Sequence, residues 1–150
     1  MKMANPKNEL VVGGSGVLCA TPEETRRLAR ALTKSLDTNA TLCLNGPLGA
    51  GKTEFVKGLA EGLNCREAVT SPSFAIAHEY EGEDTTLFHF DFYRMEEATE
   101  VETCGLEDCL GRGVVAIEWG EKFPEALPAR LLKIRIVPEG LARRIFIEYS

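Results

Sequence analysis

The chain has 150 residues, 17 lysines and arginines against 23 aspartates and glutamates, and a net charge of -6. That length suits one domain with a core that needs neither disulfides nor a structural metal, and the acidic balance argues against a dedicated nucleic-acid binder. Five cysteines with no C-x-x-C pair argue against a disulfide framework or zinc site and for thiols in a reducing cytosol, and no apolar run approaches the roughly 18 residues of a membrane span.

In chain order, residues 1–8 read as flexible and 10–18 as a strand interrupted by glycines. Thr21, Pro22 and Glu24 make a helix start: Thr21 caps, Pro22 suits the first helical position, and Glu24 completes a capping box. Leu28, Ala31, Leu32 and Leu36 then share one face, and the helix should end near Asp37. Residues 41–44 form a short buried strand running into Gly46. Residues 53–63 read as a helix with Phe55, Val56, Leu59 and Leu63 on one face.

Ser71-Pro72-Ser73 marks a turn, with strands expected over 74–80 and 87–93 around a polar loop at Gly82. Residues 95–110 read as one or two acidic helices broken at Gly105. Residues 114–118 form an apolar strand ending in a carboxylate, and 119–129, with Pro124 and Pro128, a loop. Residues 132–137 and 145–149 alternate around a turn at 138–140 and make a final hairpin. The pattern predicts a single α/β domain over 1–150 with a P-loop NTPase-type sheet: a parallel centre, antiparallel edge strands and helices on both faces.

Gly46-Pro47-Leu48-Gly49-Ala50-Gly51-Lys52-Thr53 matches G-x-x-x-x-G-K-[ST] and lies between a strand and a helix, where a phosphate loop belongs. The glycines let backbone N–H groups of Gly46, Leu48, Gly49, Ala50 and Gly51 turn toward an anion, and the helix adds the positive end of its dipole. Lys52 is expected on the β and γ phosphates of a nucleotide, and the Thr53 hydroxyl on Mg²⁺.

Such a loop needs a second magnesium anchor, usually a carboxylate at the end of a buried strand. Glu118 closes an apolar strand and is one candidate. Asp91 is the other. His89, Asp91 and Tyr93 share one strand face, while Phe88, Phe90 and Phe92 point into the core. A plainer reading pairs Asp91 with Arg94 or has it cap a turn. Trp119 fits either a core anchor or a lid. His78 and His89 read as hydrogen-bonded structural residues.

The motifs Gly49-Ala50-Gly51-Lys52-Thr53, Ser71-Pro72-Ser73-Phe74, His89-Phe90-Asp91-Phe92-Tyr93-Arg94 and Ile117-Glu118-Trp119, in this order, resemble the TsaE family of small bacterial ATPases. The match runs from about Thr21 to the last strand. The resemblance implies a role in making threonylcarbamoyladenosine (t6A) in tRNA, with ATP turnover in support of a TsaD–TsaB complex that performs the transfer. It implies that Thr53 and Glu118 hold Mg²⁺, that Asp91 orients the attacking water, and that Ser73 lies in a switch-like segment near the γ-phosphate. It also places the adenine pocket near Glu23 and Arg143. Glu54 and Ser73 stand where the family has threonines, and Pro47 where it often has an acidic residue. None removes a group the mechanism needs.

Two rivals remain from the residues. A small-molecule P-loop kinase would need an acceptor pocket and a basic lid, for which acidic residues 96–108 are poorly suited. A nucleotide-gated adaptor would use ATP to shape a docking surface with little turnover. A GTPase is weaker, since no Asn-Lys-x-Asp motif occurs.

Overall fold

A computed structural model of the chain describes residues 14–69 and 76–149. Strands β1 (Val17–Cys19), β2 (Thr41–Asn45), β3 (Ala77–Glu81), β4 (Thr86–Asp91), β5 (Val114–Glu118), β6 (Leu132–Glu139) and β7 (Ala142–Tyr149) form one sheet in the order β1-β7-β6-β2-β5-β4-β3. The central pairings β6–β2, β2–β5 and β5–β4 are parallel, and β1–β7, β7–β6 and β4–β3 are antiparallel. The parallel centre with antiparallel edges is the arrangement expected.

Helices α1 (Pro22–Leu32) and α2 (Lys52–Gly62) cover one face, packing Ala29, Leu32, Phe55, Val56 and Leu59 over Leu42, Leu44, Val114 and Ala116. Helices α3 (Ala98–Thr103) and α4 (Leu106–Cys109) cover the other, where Val101 and Leu106 meet Phe88, Phe90, Val115 and Ile117. β5 is therefore buried along its whole length, as a strand covered on both faces must be. α1 and α2 lie close because Gly58 and Gly62 face α1. A methyl at Gly58 would come within 2.7 Å of the Ala29 Cβ and overlap the Arg26 carbonyl.

Local chemistry explains the ends. The Thr21 hydroxyl accepts from the Glu24 N–H at 3.1 Å and Glu24 accepts from the Thr21 N–H at 3.1 Å, the predicted capping box. α1 stops before Asp37. Thr33 donates its hydroxyl to the Arg30 carbonyl at 2.6 Å, and residues Thr33–Ser35 tighten into a 3₁₀ turn. Gly105, in the left-handed region at φ +92, breaks the acidic stretch into α3 and α4 where the break was expected.

β4 ends at Asp91 rather than at residue 93, because the Asp91 carboxylate takes the Tyr93 N–H at 2.9 Å and turns the chain. The final hairpin is longer than its alternation implied. Its turn is at Gly140 and Leu141, with Pro138 paired to Arg143 inside the ladder. Two 3₁₀ turns, Gly120–Lys122 and Pro124–Ala126, occupy the expected loop over 119–129. The early strand is described only from Val17. The turn at 71–73 and the start of the strand expected over 74–80 lie outside the described residues. Among the described residues no helix is long and apolar enough to cross a membrane.

Candidate functional site

The parallel register sets the site. Asp91 at the end of β4 and Leu44 near the end of β2 both pair with Glu118 at the end of β5. The loop leaving β2 and the two carboxylates therefore emerge together at the carboxyl edge of the sheet, where open α/β sheets bind ligands.

The loop is formed as its glycines imply. Gly51 precedes α2 at φ +105, a conformation costly to any residue with a Cβ. Gly46 runs so close to β6 that a Cβ would lie 2.7 Å from the Ile136 carbonyl oxygen. The Ala50 N–H closes the tip by donating to the Pro47 carbonyl at 3.1 Å, which leaves Leu48 exposed. Lys52 opens α2, and half-buried Thr53 is its second residue. Among the described residues no cluster of three or more His, Cys, Asp or Glu side chains could hold a metal alone. The available set is a threonine hydroxyl with hard carboxylate oxygens, which suits a magnesium ion arriving on phosphates better than one caged by protein.

Lys52 is 4% exposed. Its ammonium donates to the Gly46 carbonyl and, at 3.4 Å, to the Pro47 carbonyl, and lies 3.8 Å from the centre of the Trp119 ring. Burial lowers its pKa, and the carboxylates of Glu118, Glu121 and Asp91 oppose that shift. Trp119 sits in the left-handed region at φ 61, a strained geometry for an aromatic residue, and its ring centre lies 5.0 Å from that of Tyr93, with the planes tilted by 52°. It lies over Lys52, as a lid would, and packs against the cluster around Phe90 and Phe92, as a core anchor would, so both sequence readings describe it.

Glu118 is 4% exposed and accepts from His89 Nε2 at 2.6 Å. A carboxylate can only accept, so that nitrogen carries the proton. Asp91 is held above its ordinary pKa by burial, with the neighbouring Glu118 charge acting in the same direction; the Tyr93 N–H, His89 and Lys52 oppose it.

The structure thus gathers Gly46, Leu48, Gly49, Ala50, Gly51, Lys52, Thr53, Asp91 and Glu118 at one edge. Ser73 lies outside the described residues. Glu23 is exposed on the first turn of α1. Arg143 lies opposite Cys19 on β1, near the start of that helix, yet its side chain turns to the phosphate loop: Nε donates to the Ala50 carbonyl at 2.8 Å and Nη2 to the Gly49 carbonyl at 3.0 Å. His89 is the hydrogen-bonded, buried residue expected from the sequence, and its partner is Glu118. Strand alternation places it on the face of Asp91, as the sequence implied.

A family profile described as "Threonylcarbamoyl adenosine biosynthesis protein TsaE" matches residues 19–145. A Bacillus subtilis protein named tRNA threonylcarbamoyladenosine biosynthesis protein TsaE is 42% identical over 120 residues, which cover 79% of this chain and 75% of the relative. A protein of the same name from Streptomyces coelicolor is 43% identical over 114 residues, covering 74% and 77%. The crystal structure of Bacillus subtilis YdiB superposes with a TM-score of 0.72 at 34% identity, covering 89% of this chain and 83% of that one.

Proposed function

The chain belongs to the TsaE family of threonylcarbamoyl adenosine biosynthesis proteins, and from that premise we propose that it is a magnesium-dependent ATPase of the cytoplasm that supports t6A modification of tRNA together with the TsaD–TsaB pair. The observation that carries the reading is the register of Asp91 and Glu118 beside the loop over residues 46–53. That arrangement supplies the positioning and electrostatics on which phosphoryl transfer depends.

In this reading the loop amides and Lys52 bind the phosphates. Thr53 and Glu118 would hold Mg²⁺, which neutralises phosphate charge when bound. Asp91, in register with Glu118, is the group to orient water, and its raised pKa suits a residue that accepts a proton. Trp119, in contact with Tyr93, lies over Lys52 and limits access of bulk water to it. Lys52 spends two of its three ammonium donors on the Gly46 and Pro47 carbonyls, which leaves the third for a phosphate. Slow turnover by the protein alone would also fit the nucleotide-gated adaptor reading.

The test is ATP hydrolysis by the purified protein with and without TsaD–TsaB of the same source. Stimulation by the pair supports the enzyme in a complex. ATP-dependent docking without turnover supports the adaptor. Unchanged turnover with no docking overturns both and leaves the kinase.

A further inference from the structure

Arg143 is anchored by pairing on both sides, to Cys19 on β1 and to Pro138 on β6. Three of its donors are used on carbonyls: Ala50 at 2.8 Å, Gly49 at 3.0 Å and Ala142 at 3.0 Å. Two of these belong to the phosphate loop, some ninety residues away in sequence. The peptide is trans and planar, so pinning the Ala50 carbonyl on one side aims the Gly51 N–H to the other. The loop needs such a hold. Gly49 and Gly51 flank Ala50 at φ +76 and +105, and a Cβ at either would meet nothing within 4 Å. The buried Ala50 side chain anchors the segment between them, and hydrogen bonds add a hold on the peptides on either side, where the space is open.

We propose that Arg143 is a positioning residue for phosphate binding, a clamp that fixes the Gly49 and Ala50 carbonyls and so aims the Gly51 N–H toward an anion before a ligand arrives. This rests on the phosphate-loop reading of residues 46–53 and assigns Arg143 a role other than contact with the base. Donors fixed in advance need no reordering when the ligand binds, and that is where the affinity comes from. The planar fork reaches two carbonyls at once, which a lysine ammonium on a flexible stem does not reproduce.

The experiment compares the full chain with Arg143→Ala and Arg143→Lys. Affinities for ADP and for pyrophosphate are measured with Mg²⁺, and amide hydrogen exchange of Ala50 and Gly51 is followed by NMR without ligand. The clamp predicts that both ligands weaken by the same factor, on the order of tenfold, in both variants, and that both amides exchange faster. If Arg143→Ala loses ADP binding and keeps pyrophosphate binding, the residue contacts the base and the clamp is wrong. If Arg143→Lys binds like the wild type, charge suffices and the clamp is again wrong. Should the alanine variant not fold, the lysine variant and its amide exchange decide. A wild-type chain that binds neither ligand would overturn the phosphate-loop reading itself, a result distinct from the other two.

Discussion

His89 Nε2 lies 2.6 Å from Glu118 Oε2, across the parallel pair β4–β5, with His89 fully buried and Glu118 nearly so. Replacing His89 by leucine leaves a buried carboxylate without this donor. The expected loss of stability is about 2 kcal/mol or more. Because both residues share one bond, the double variant His89→Leu/Glu118→Gln should lose less than the sum of the single changes. Urea denaturation of the four proteins checks this; additive losses would mean that His89 contributes packing alone.

Glu118→Gln keeps the shape and one oxygen for His89 but removes the charge. The variant should fold, bind ATP within a few-fold of wild type and lose hydrolysis by on the order of 100-fold. Single-turnover hydrolysis at saturating ATP separates binding from chemistry. Wild-type turnover in this variant would remove Glu118 from the mechanism.

The loop, the two carboxylates and the sheet centre were legible because each has a local signature: glycine spacing, a carboxylate closing an apolar run, alternation along a strand. What was not legible depends on contacts between distant segments. Arg143 is singled out by the resemblance alone, and for the adenine pocket; its reach to Ala50 shows only once β7 pairs with β1. Trp119 has no sequence mark for its left-handed backbone. Gly58 looks like a weak point within a helix, and only the crossing of α1 shows that a side chain has no room there. The early end of α1 reflects a hydroxyl choosing a nearby carbonyl, which helical periodicity does not register.

Asp91 carries a raised pKa, so its ionised form weakens the folded state. The cost is absent at acid pH, where the group is protonated in both states, and is fully present once pH exceeds the folded pKa. Asp91→Asn should therefore stabilise the ligand-free protein at neutral pH, raising Tm by roughly 1–3 °C, while slowing ATP hydrolysis. The gain should shrink toward acid pH. Thermal unfolding from pH 4 to pH 8 tests the sign: a variant less stable than wild type at pH 7 would show that the hydrogen bond to Tyr93 outweighs the burial of charge.

Glu54 works in the opposite sense. Burial alone would raise its pKa, but the hydrogen bonds from Arg26 at 2.5 Å and Lys57 at 3.2 Å reverse the direction and hold it below its ordinary value. A depressed carboxylate contributes stability that is present above its unfolded pKa and lost as pH falls through the folded one. The pair links α1 to the first turn of α2, directly after Thr53, and the negative charge also suits that helix end. Its side chains are 30% and 27% exposed, so solvent screens the interaction. Glu54→Gln should cost under about 1 kcal/mol at pH 7 and low salt. The cost should fade in high salt and disappear at a pH below the depressed pKa. ADP affinity should stay within about twofold, because the Thr53 hydroxyl and the loop amides are untouched. Urea titrations across pH and salt measure the first effect and calorimetry the second; a pH-independent loss would mean that Glu54 acts through its packing rather than its charge.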